Sequence, residues 1–461
     1  QREAWETLEA LWRRVAGDLA VGAAASSTAV SERPGRASRP EELSSLSVLV
    51  IDDDTFTTRY IAGLLGELGV VQIETAPDGA RALELIQAEA TFDVILCDLA
   101  MPVMDGVELL RHLASRQLKA GFVFMSGASE RVLESVEALA RQYGFTVLGT
   151  LKKPVALDAL ERLLSHHSPV RHRKADRARA ATMSNAMRLA TPASEQRISP
   201  EEVAHAIASR QLTIHLQPKV RADSLKPVGA EALARWFRPD GTVVPPNVFI
   251  PIVEAHGLHD ALLDLVLEQS MGVARRLEDR GHPLKISVNV SAQSLEHLEL
   301  VERVLARASA NRVDPRRLVI EVTETGLVRD QRVALDVLTR LRLHGFELSI
   351  DDFGTGYSSI DLLRRVPFTE LKVDRSFTKT CVRDQSARHI ISTSVELARG
   401  LGMLVVAEGV ESATELAVVR ELGCDEIQGY FTGRPMAEEA LLTWLGEQAR
   451  LISESVSESA A

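Results

Sequence analysis

Two long stretches of this chain, residues 46–166 and 197–447, repeat one alternation: a short apolar run of strand character, then an amphipathic run of helical character. Such alternation imposes parallel sheets, because strands joined through crossover helices run the same way. In the first stretch the strand-like runs are Ser47–Ile51, Val70–Thr75, Phe92–Cys97, Gly121–Met125 and Thr146–Leu151. They predict an α/β, doubly wound open sheet. In the second they are Leu212–Pro218, Val228–Trp236, Leu284–Val290, Leu318–Thr323, Glu347–Ile350, Glu370–Asp374, Met403–Ala407 and Glu426–Tyr430, with helical runs such as 331–344 and 386–401 between. Eight strands over about 250 residues predict a TIM-like barrel. In both architectures chemistry gathers at the carboxyl ends of the strands.

In the first stretch those ends carry Asp52, Asp53 and Asp54, then Asp98, Ser126 and Lys153-Pro154. Far apart in sequence, they fall on one rim of the sheet. An acidic pair with a further Asp can hold a Mg²⁺. Asp98 can then act as a nucleophile toward a phosphoryl group. Lys153 neutralises the added charge and Ser126 hydrogen-bonds a phosphoryl oxygen.

In the second stretch the ends offer Glu231, Asn289, Glu321 with Glu324, Asp351 with Asp352, Lys372, Glu408 with Glu411, and Gln428. Carboxylates ringing one mouth repel one another, and divalent cations relieve that repulsion. Oxygen donors with one amide suit Mg²⁺ or Mn²⁺; zinc is disfavoured because no His or Cys joins them. A pair of such ions favours phosphoester cleavage. Lys372 then serves as a donor to the attacking water or the phosphate, and Arg235 as a fork for a phosphate. The densest segment is Glu347–Ser359, where a strand ends in Asp351 and Asp352 and a loop with Gly354 and Gly356 follows. Consecutive strand residues face opposite sides, so the pair is expected where strand gives way to loop.

Composition narrows the partners. Lys and Arg number 53 against 64 Asp and Glu, a formal net charge of −11, which argues against a nucleic-acid surface. Cys97, Cys381 and Cys424 form no disulfide framework and suit a reducing cytoplasm. No apolar run approaches the ~20 residues of a membrane span. Residues 1–21 read as an amphipathic helix with Trp5, Leu8, Leu11, Trp12, Val15 and Leu19 on one face. Since the chain begins with Gln1, that helix is compatible with a remnant of an upstream domain. Residues 22–45 and the basic 167–196 read as linkers, and 448–461 as a tail.

The first stretch resembles the receiver domain of two-component response regulators, a flavodoxin-like fold. The matching motifs are Val-Ile-Asp-Asp-Asp (50–54), Cys-Asp-Leu-Ala-Met-Pro-Val-Met-Asp-Gly (97–106), Met-Ser-Gly-Ala (125–128) and Leu-Lys-Lys-Pro (151–154). The resemblance implies Asp98 as phospho-acceptor, and one Mg²⁺ held by Asp53, Asp98 and the Ala100 carbonyl with Asp52 beside them. Ser126 and Lys153 complete the site. Thr150 stands where the family often carries an aromatic residue. A cognate histidine kinase or phosphotransfer protein is the implied partner.

The second stretch resembles the EAL family of cyclic di-GMP phosphodiesterases. It carries Glu-Ala-Leu-Ala-Arg (231–235), Ser-Val-Asn-Val-Ser (287–291), Ile-Glu-Val-Thr-Glu-Thr (320–325), Asp-Asp-Phe-Gly-Thr-Gly-Tyr-Ser-Ser (351–359), Leu-Lys-Val-Asp-Arg-Ser-Phe (371–377), Val-Ala-Glu-Gly-Val-Glu (406–411) and Gln-Gly-Tyr (428–430). By this resemblance Glu231, Asn289, Glu321 and Asp351 bind one metal, and Asp351 and Asp352 a second, with Glu408 next to it. Lys372 and Glu408 position and activate the water. Glu324 holds the loop after Asp352. Gln217, Leu233, Arg235, Asp374, Glu411 and Gln428 contact or support the nucleotide. Lys219 stands where the family often has Ile, with no effect on chemistry expected. No diguanylate cyclase signature is present.

The implied activity is hydrolysis of cyclic di-GMP to pGpG with two Mg²⁺ or Mn²⁺ ions, controlled by phosphorylation of Asp98, in a homodimer or larger oligomer. Two other readings belong to different classes: a catalytically silent cyclic di-GMP receptor, and a phosphorylation-dependent interaction module. A kinase reading of Asp-Phe-Gly (352–354) fails, since no Gly-rich loop or His-Arg-Asp loop accompanies it.

Overall fold

A computed structural model describes residues 43–88, 91–114, 118, 120–165, 198–324, 330–354 and 360–459. The helix expected at 1–21 and nearly all of both linkers lie outside the described residues.

Strands β1 (Ser47–Ile51), β2 (Gln72–Ala76), β3 (Val94–Asp98), β4 (Gly121–Ser126) and β5 (Thr146–Lys152) form a parallel sheet in the order β2-β1-β3-β4-β5. This is the flavodoxin-like winding. Helices α1 (Thr55–Glu67), α2 (Gly79–Gln87), α3 (Gly106–Leu113), α4 (Glu130–Gln142) and α5 (Leu157–Ser165) alternate with the strands. Every residue of β3 and β4 is buried, which explains why both read as continuous apolar runs. The strand order reverses between β1 and β3, so their ends, with Asp52 and Asp98, flank the switch point where such sheets bind ligands.

After α6 (Pro200–Ala208), held at its start by the Ser199/Glu202 capping box, the chain builds the barrel. Its strands are β6 (Leu212–Arg221), β7 (Pro227–Phe237), β9 (Lys285–Asn289), β10 (Leu318–Thr323), β11 (Glu347–Phe353), β12 (Glu370–Val373), β13 (Leu404–Ala407) and β14 (Glu426–Gln428); β8 (Val243–Val244) is a flap on β7. They run β6-β14-β13-β12-β11-β10-β9-β7, and β6 pairs back onto β7 to close the ring. Helices α7 (Pro246–Ala255), α8 (His259–Asp279), α9 (Ala292–Leu295), α10 (Leu300–Asn311), α11 (Gln331–Leu343), α12 (Ile360–Arg365), α13 (Arg375–Thr380), α14 (Gln385–Gly400), α15 (Ala413–Glu421) and α16 (Glu438–Ser459) complete the domain.

Two features depart from the expected regular barrel. Strand β6 is antiparallel to both neighbours. The short connection 222–226 cannot hold a crossover helix, so β6 and β7 pair as a hairpin. The tail expected at 448–461 is instead mostly helix, because α16 passes residue 447 and continues to Ser459.

The two domains dock through α3 and α4 of the sheet domain and α11 and α12 of the barrel. Arg340 on α11 is buried; its Nε donates to Asp105 Oδ2 at 2.7 Å and its Nη2 to Glu302 Oε1 at 2.8 Å and Glu108 Oε2 at 3.1 Å. Tyr143 donates its hydroxyl to Asp336 Oδ2 at 3.0 Å, with Arg111 3.8 Å from the other oxygen. Burial pushes the Asp336 carboxyl up to about 6, with Arg111 and Arg340 opposing that rise. A raised carboxyl costs the folded state nothing below its ordinary value of 3.8 and its full penalty above about pH 6. Asp336→Asn, which keeps an acceptor for Tyr143, is therefore expected to raise the Tm by a few degrees at neutral pH. Near pH 4.5 the same calorimetric comparison should show little difference.

Candidate active site and receiver site

In the sheet domain, Lys153 Nζ lies 2.6 Å from Asp98 Oδ2 and 2.7 Å from Asp52 Oδ2. Asp98 Oδ1 accepts the Leu99 N–H at 2.7 Å, and Ser126 Oγ accepts the Ala128 N–H at 2.9 Å. Burial raises the Asp98 carboxyl despite the Lys153 ammonium. Asp52, Asp53 and Asp98 each bring an oxygen within 4.8 Å of the others. Three acids facing one ammonium leave negative charge unbalanced, which suits a Mg²⁺. Gly106 is required by close approach: a Cβ there would lie 2.7 Å from the Asp98 carbonyl. Asp52, Asp53 and Asp98 with Lys153, and Ser126 at the end of the adjacent β4, therefore lie on one rim.

The barrel interior is built in two polar layers, one residue pair apart on each strand. Strand alternation puts Gln217 and Lys219 of β6, Ser349 and Asp351 of β11, Glu370 and Lys372 of β12, and Glu426 and Gln428 of β14 on the inward face. In the lower layer Lys219 Nζ meets Glu370 Oε2 at 2.6 Å, Ser349 Oγ donates to Glu370 Oε1 at 2.9 Å, and Glu426 stands 4.0 Å from Lys219. The Lys219 position is thus the cation of a buried network.

Lys372, fully buried, is the hub of the upper layer. Its Nζ lies 2.7 Å from Glu408 Oε1, 2.8 Å from Glu321 Oε2, 3.2 Å from Asp351 Oδ1 and 3.5 Å from Glu231 Oε2. Glu231 also accepts from Asn289 Nδ2 and Gln428 Nε2, both at 2.6 Å. Gln428 Nε2 also reaches Gln217 Oε1 at 3.3 Å. Glu231 was expected at a strand end; it lies mid-strand, opposite Gln217, because β7 extends beyond it to Phe237.

The adjacent acids are brought together by a backbone irregularity. The β11–β12 register shifts between Ile350 and Phe353, and Asp352 takes the left-handed conformation with φ 56°. Asp tolerates that region better than most residues. The strand runs through both acids instead of ending before them, and the bulge overcomes the alternation that would aim them apart. Asp351, Asp352 and Glu408 each place an oxygen within 4.8 Å of the others.

The electrostatics fit a cation. Burial pushes both Glu321 and Glu408 up to about 8, with the neighbouring acids adding and Lys372 opposing. Burial, then Asp351 and Asp374, raises Asp352. Glu231 is buried too, yet Lys372, Gln428 and Asn289 hold its carboxyl low. Glu321 Oε1 and both Glu324 carboxylate oxygens are buried with no hydrogen-bond partner among the described residues. Buried oxygens without donors call for an ion or water. Glu231, Asn289, Glu321, Asp351, Asp352 and Glu408 are the residues that could hold divalent ions.

Beside this mouth a cavity of about 600 Å³ is lined by Leu233, Arg235, Ile250, His259, Asn289 and Ser291. Asp374 caps α13 by accepting the Ser376 N–H. Glu411 is not drawn into the cage: it is exposed and pairs with Lys379 at 2.9 Å. The loop partner expected for Glu324, residues 355–359, lies outside the described residues. The lower layer was missed by sequence reading, although the alternation Glu370-Leu371-Lys372 signals it. So was an imidazole pair: His259, Asp260 and His297 cluster near the cavity, with Asp260 already bound by Arg303 at 2.9 Å.

Sheet domain and acid-caged barrel together define a receiver joined to an EAL domain. The sequence matches the response regulator receiver domain family over residues 48–165 and the EAL domain family over residues 201–435. It is 32% identical over 403 residues to the cyclic di-GMP phosphodiesterase RocR of Pseudomonas aeruginosa, covering 87% of this chain and 99% of that protein. The bifunctional diguanylate cyclase/cyclic di-GMP phosphodiesterase MucR of the same organism is 39% identical over 251 residues, 54% of this chain and 37% of that protein. The solved PaMucR phosphodiesterase in complex with c-di-GMP overlays with a TM-score of 0.51 at 39% identity, covering 52% of this chain and 98% of the solved one. The chain belongs to the EAL family and carries a response-regulator receiver domain.

Proposed function

We propose that this protein hydrolyses cyclic di-GMP to linear pGpG with two divalent ions, under control of phosphorylation at Asp98. The observation that carries the reading is the upper layer of the barrel, where one buried ammonium faces Glu231, Glu321, Asp351 and Glu408, with Asp352 alongside. The relatives named for this activity, RocR and MucR, support it.

Glu231, Asn289, Glu321 and Asp351 would hold one ion and Asp351 and Asp352 the second, with Glu408 next to it. Bound Mg²⁺ or Mn²⁺ supplies polarisation of the phosphodiester and a water of lowered pKa. Lys372 would orient the attacking water and balance charge on the phosphate, and Glu408, 2.7 Å from Lys372 Nζ, would take the water's proton. The water oxygen bonds to phosphorus, the P–O bond to one ribose 3′-oxygen breaks with that oxygen taking a proton from solvent, and the ring opens to a linear dinucleotide. Arg235 and Leu233 line the neighbouring cavity, which receives a nucleotide base. The complete acid set argues against a silent receptor.

The test is turnover of cyclic di-GMP by the full chain with Mg²⁺ or Mn²⁺, with and without a small-molecule phosphodonor. Linear pGpG is the expected product, and the phosphodonor should change the rate. Asp98→Asn is expected to keep basal hydrolysis within about twofold and to abolish the phosphodonor response. Binding of the dinucleotide without turnover would refute the enzyme reading.

A further inference from the structure

We propose that Arg131, a residue of the receiver domain, is a positioning residue for the phosphodiesterase centre, acting through α12. The proposal rests on the function proposed above and names the route by which the receiver reaches that site.

The last carbonyls of a helix lack partners within it and carry the negative end of its dipole. Helix α12 ends at Arg365 without a glycine cap, and Pro367 stops it. Its terminus is capped from the other domain. Arg131 Nη2 donates to Leu363 O at 3.0 Å and Val366 O at 3.1 Å, and Nη1 donates to Phe368 O at 2.5 Å. Ser135, one turn further along α4, donates its hydroxyl to Arg365 O. A guanidinium fork and a hydroxyl thus reach four carbonyls at and just past the helix end, and the cation sits on the favourable end of the dipole. Arg131 is half-buried and its guanidinium is partly desolvated, so it is built into the interface.

The place it grips lies between the strands of the acid cage. Helix α12 follows β11, which carries Asp351 and Asp352. Phe368, whose carbonyl Arg131 holds, precedes Lys372 of β12 by four residues. Asp351 and Lys372 meet at 3.2 Å across these strands. A six-residue helix is about 9 Å long, too short to bend, so a shift at its gripped end carries into residues 366–369 and the start of β12.

The other end of the route lies at the phosphorylation site. Arg131 is the second residue of α4, five after Ser126. Ser126 Oγ is engaged by the Ala128 N–H, and Ser129 makes no side-chain cap at the start of α4. A phosphoryl group on Asp98 that rotates the Ser126 hydroxyl toward itself swings Oγ away from the Ala128 N–H and frees the turn leading to Arg131. The second anchor, Arg340 on Asp105, holds α3 and is untouched by this step.

The experiment compares Arg131→Ala and Arg131→Lys with Arg141→Ala, a control on the same helix whose exposed pair is with Glu137. All use the full chain. Hydrolysis of cyclic di-GMP is titrated with Mn²⁺, with and without acetyl phosphate, while Asp98 phosphorylation is followed on a mobility-shift gel. In Arg131→Ala we expect kcat to fall at least fivefold and half-saturation by Mn²⁺ to rise severalfold, with KM within twofold. The response to acetyl phosphate should vanish although Asp98 is still phosphorylated. Arg131→Lys should recover part of each effect, and Arg141→Ala should match the parent. Parental Mn²⁺ dependence and phosphodonor response in Arg131→Ala would overturn the proposal. Should the parent itself not turn over cyclic di-GMP, the function is wrong, and hydrogen exchange still decides the coupling. Acetyl phosphate must then speed exchange across 360–373 in the parent and not in Arg131→Ala; no change in the parent overturns it.

Discussion

Glu231→Ala and Asp351→Ala should each lower hydrolysis of cyclic di-GMP by at least about 10³-fold, Asp351→Ala without weakening the fold. Loss of activity alone would not distinguish a ligand from a strut. Glu231 and Asp351 are two of the acids crowded around the Lys372 ammonium. Removing Asp351 relieves like-charge repulsion, and Lys372 keeps Glu408 and Glu321 at 2.7 and 2.8 Å; removing Glu231 instead strands the Asn289 and Gln428 amides that donate to it. The Tm of Asp351→Ala measured in EDTA should therefore hold or rise, while the stabilisation on adding Mn²⁺ should shrink in both variants, since an ion that binds only the folded form stabilises by mass action. A large fall in the Tm of Asp351→Ala in EDTA, or undiminished stabilisation by Mn²⁺ in either variant, would mean that the metal assignment is wrong.

Lys372→Met is the converse case. Its side chain is fully buried and touches four carboxylates. Breaking a buried ion pair from one side costs about 3–5 kcal/mol, because the partner charge is stranded. We expect a Tm lower by several degrees in EDTA, substantial rescue by Mn²⁺, and activity lower by roughly 10²–10⁴-fold even in the rescued protein, the usual range for a group that moves or orients a proton. Full activity at saturating Mn²⁺ would reduce Lys372 to a placeholder for the ions.

The distribution of residues explains what could be read in advance. Both sheets were legible because buried parallel strands are nearly pure apolar runs, as in β3 and β4. The cage was legible because its members are polar residues set into such runs. What escaped depended on backbone geometry or on the other domain. The bulge at Asp351–Asp352 follows from one left-handed residue, which no local pattern announces. Lys219 reads as a substitution until Glu370 and Glu426 are seen against it. Glu411 shares a motif with Glu408 yet turns to Lys379. Arg131 and Arg340 look like ordinary helix-surface cations; only docking reveals that each has partners in the other domain, more than 200 residues away.

The docked α4 has a consequence for assembly. Arg131 and Ser135, with Tyr143 just past the helix end, are committed to the chain's own barrel, so the face they carry is not open to a second receiver. Two chains that pair through that face of α4 must first let go of their barrels, so self-association through it and intramolecular docking compete for one surface. The molar mass seen by light scattering then becomes a gauge of how tightly each receiver is held.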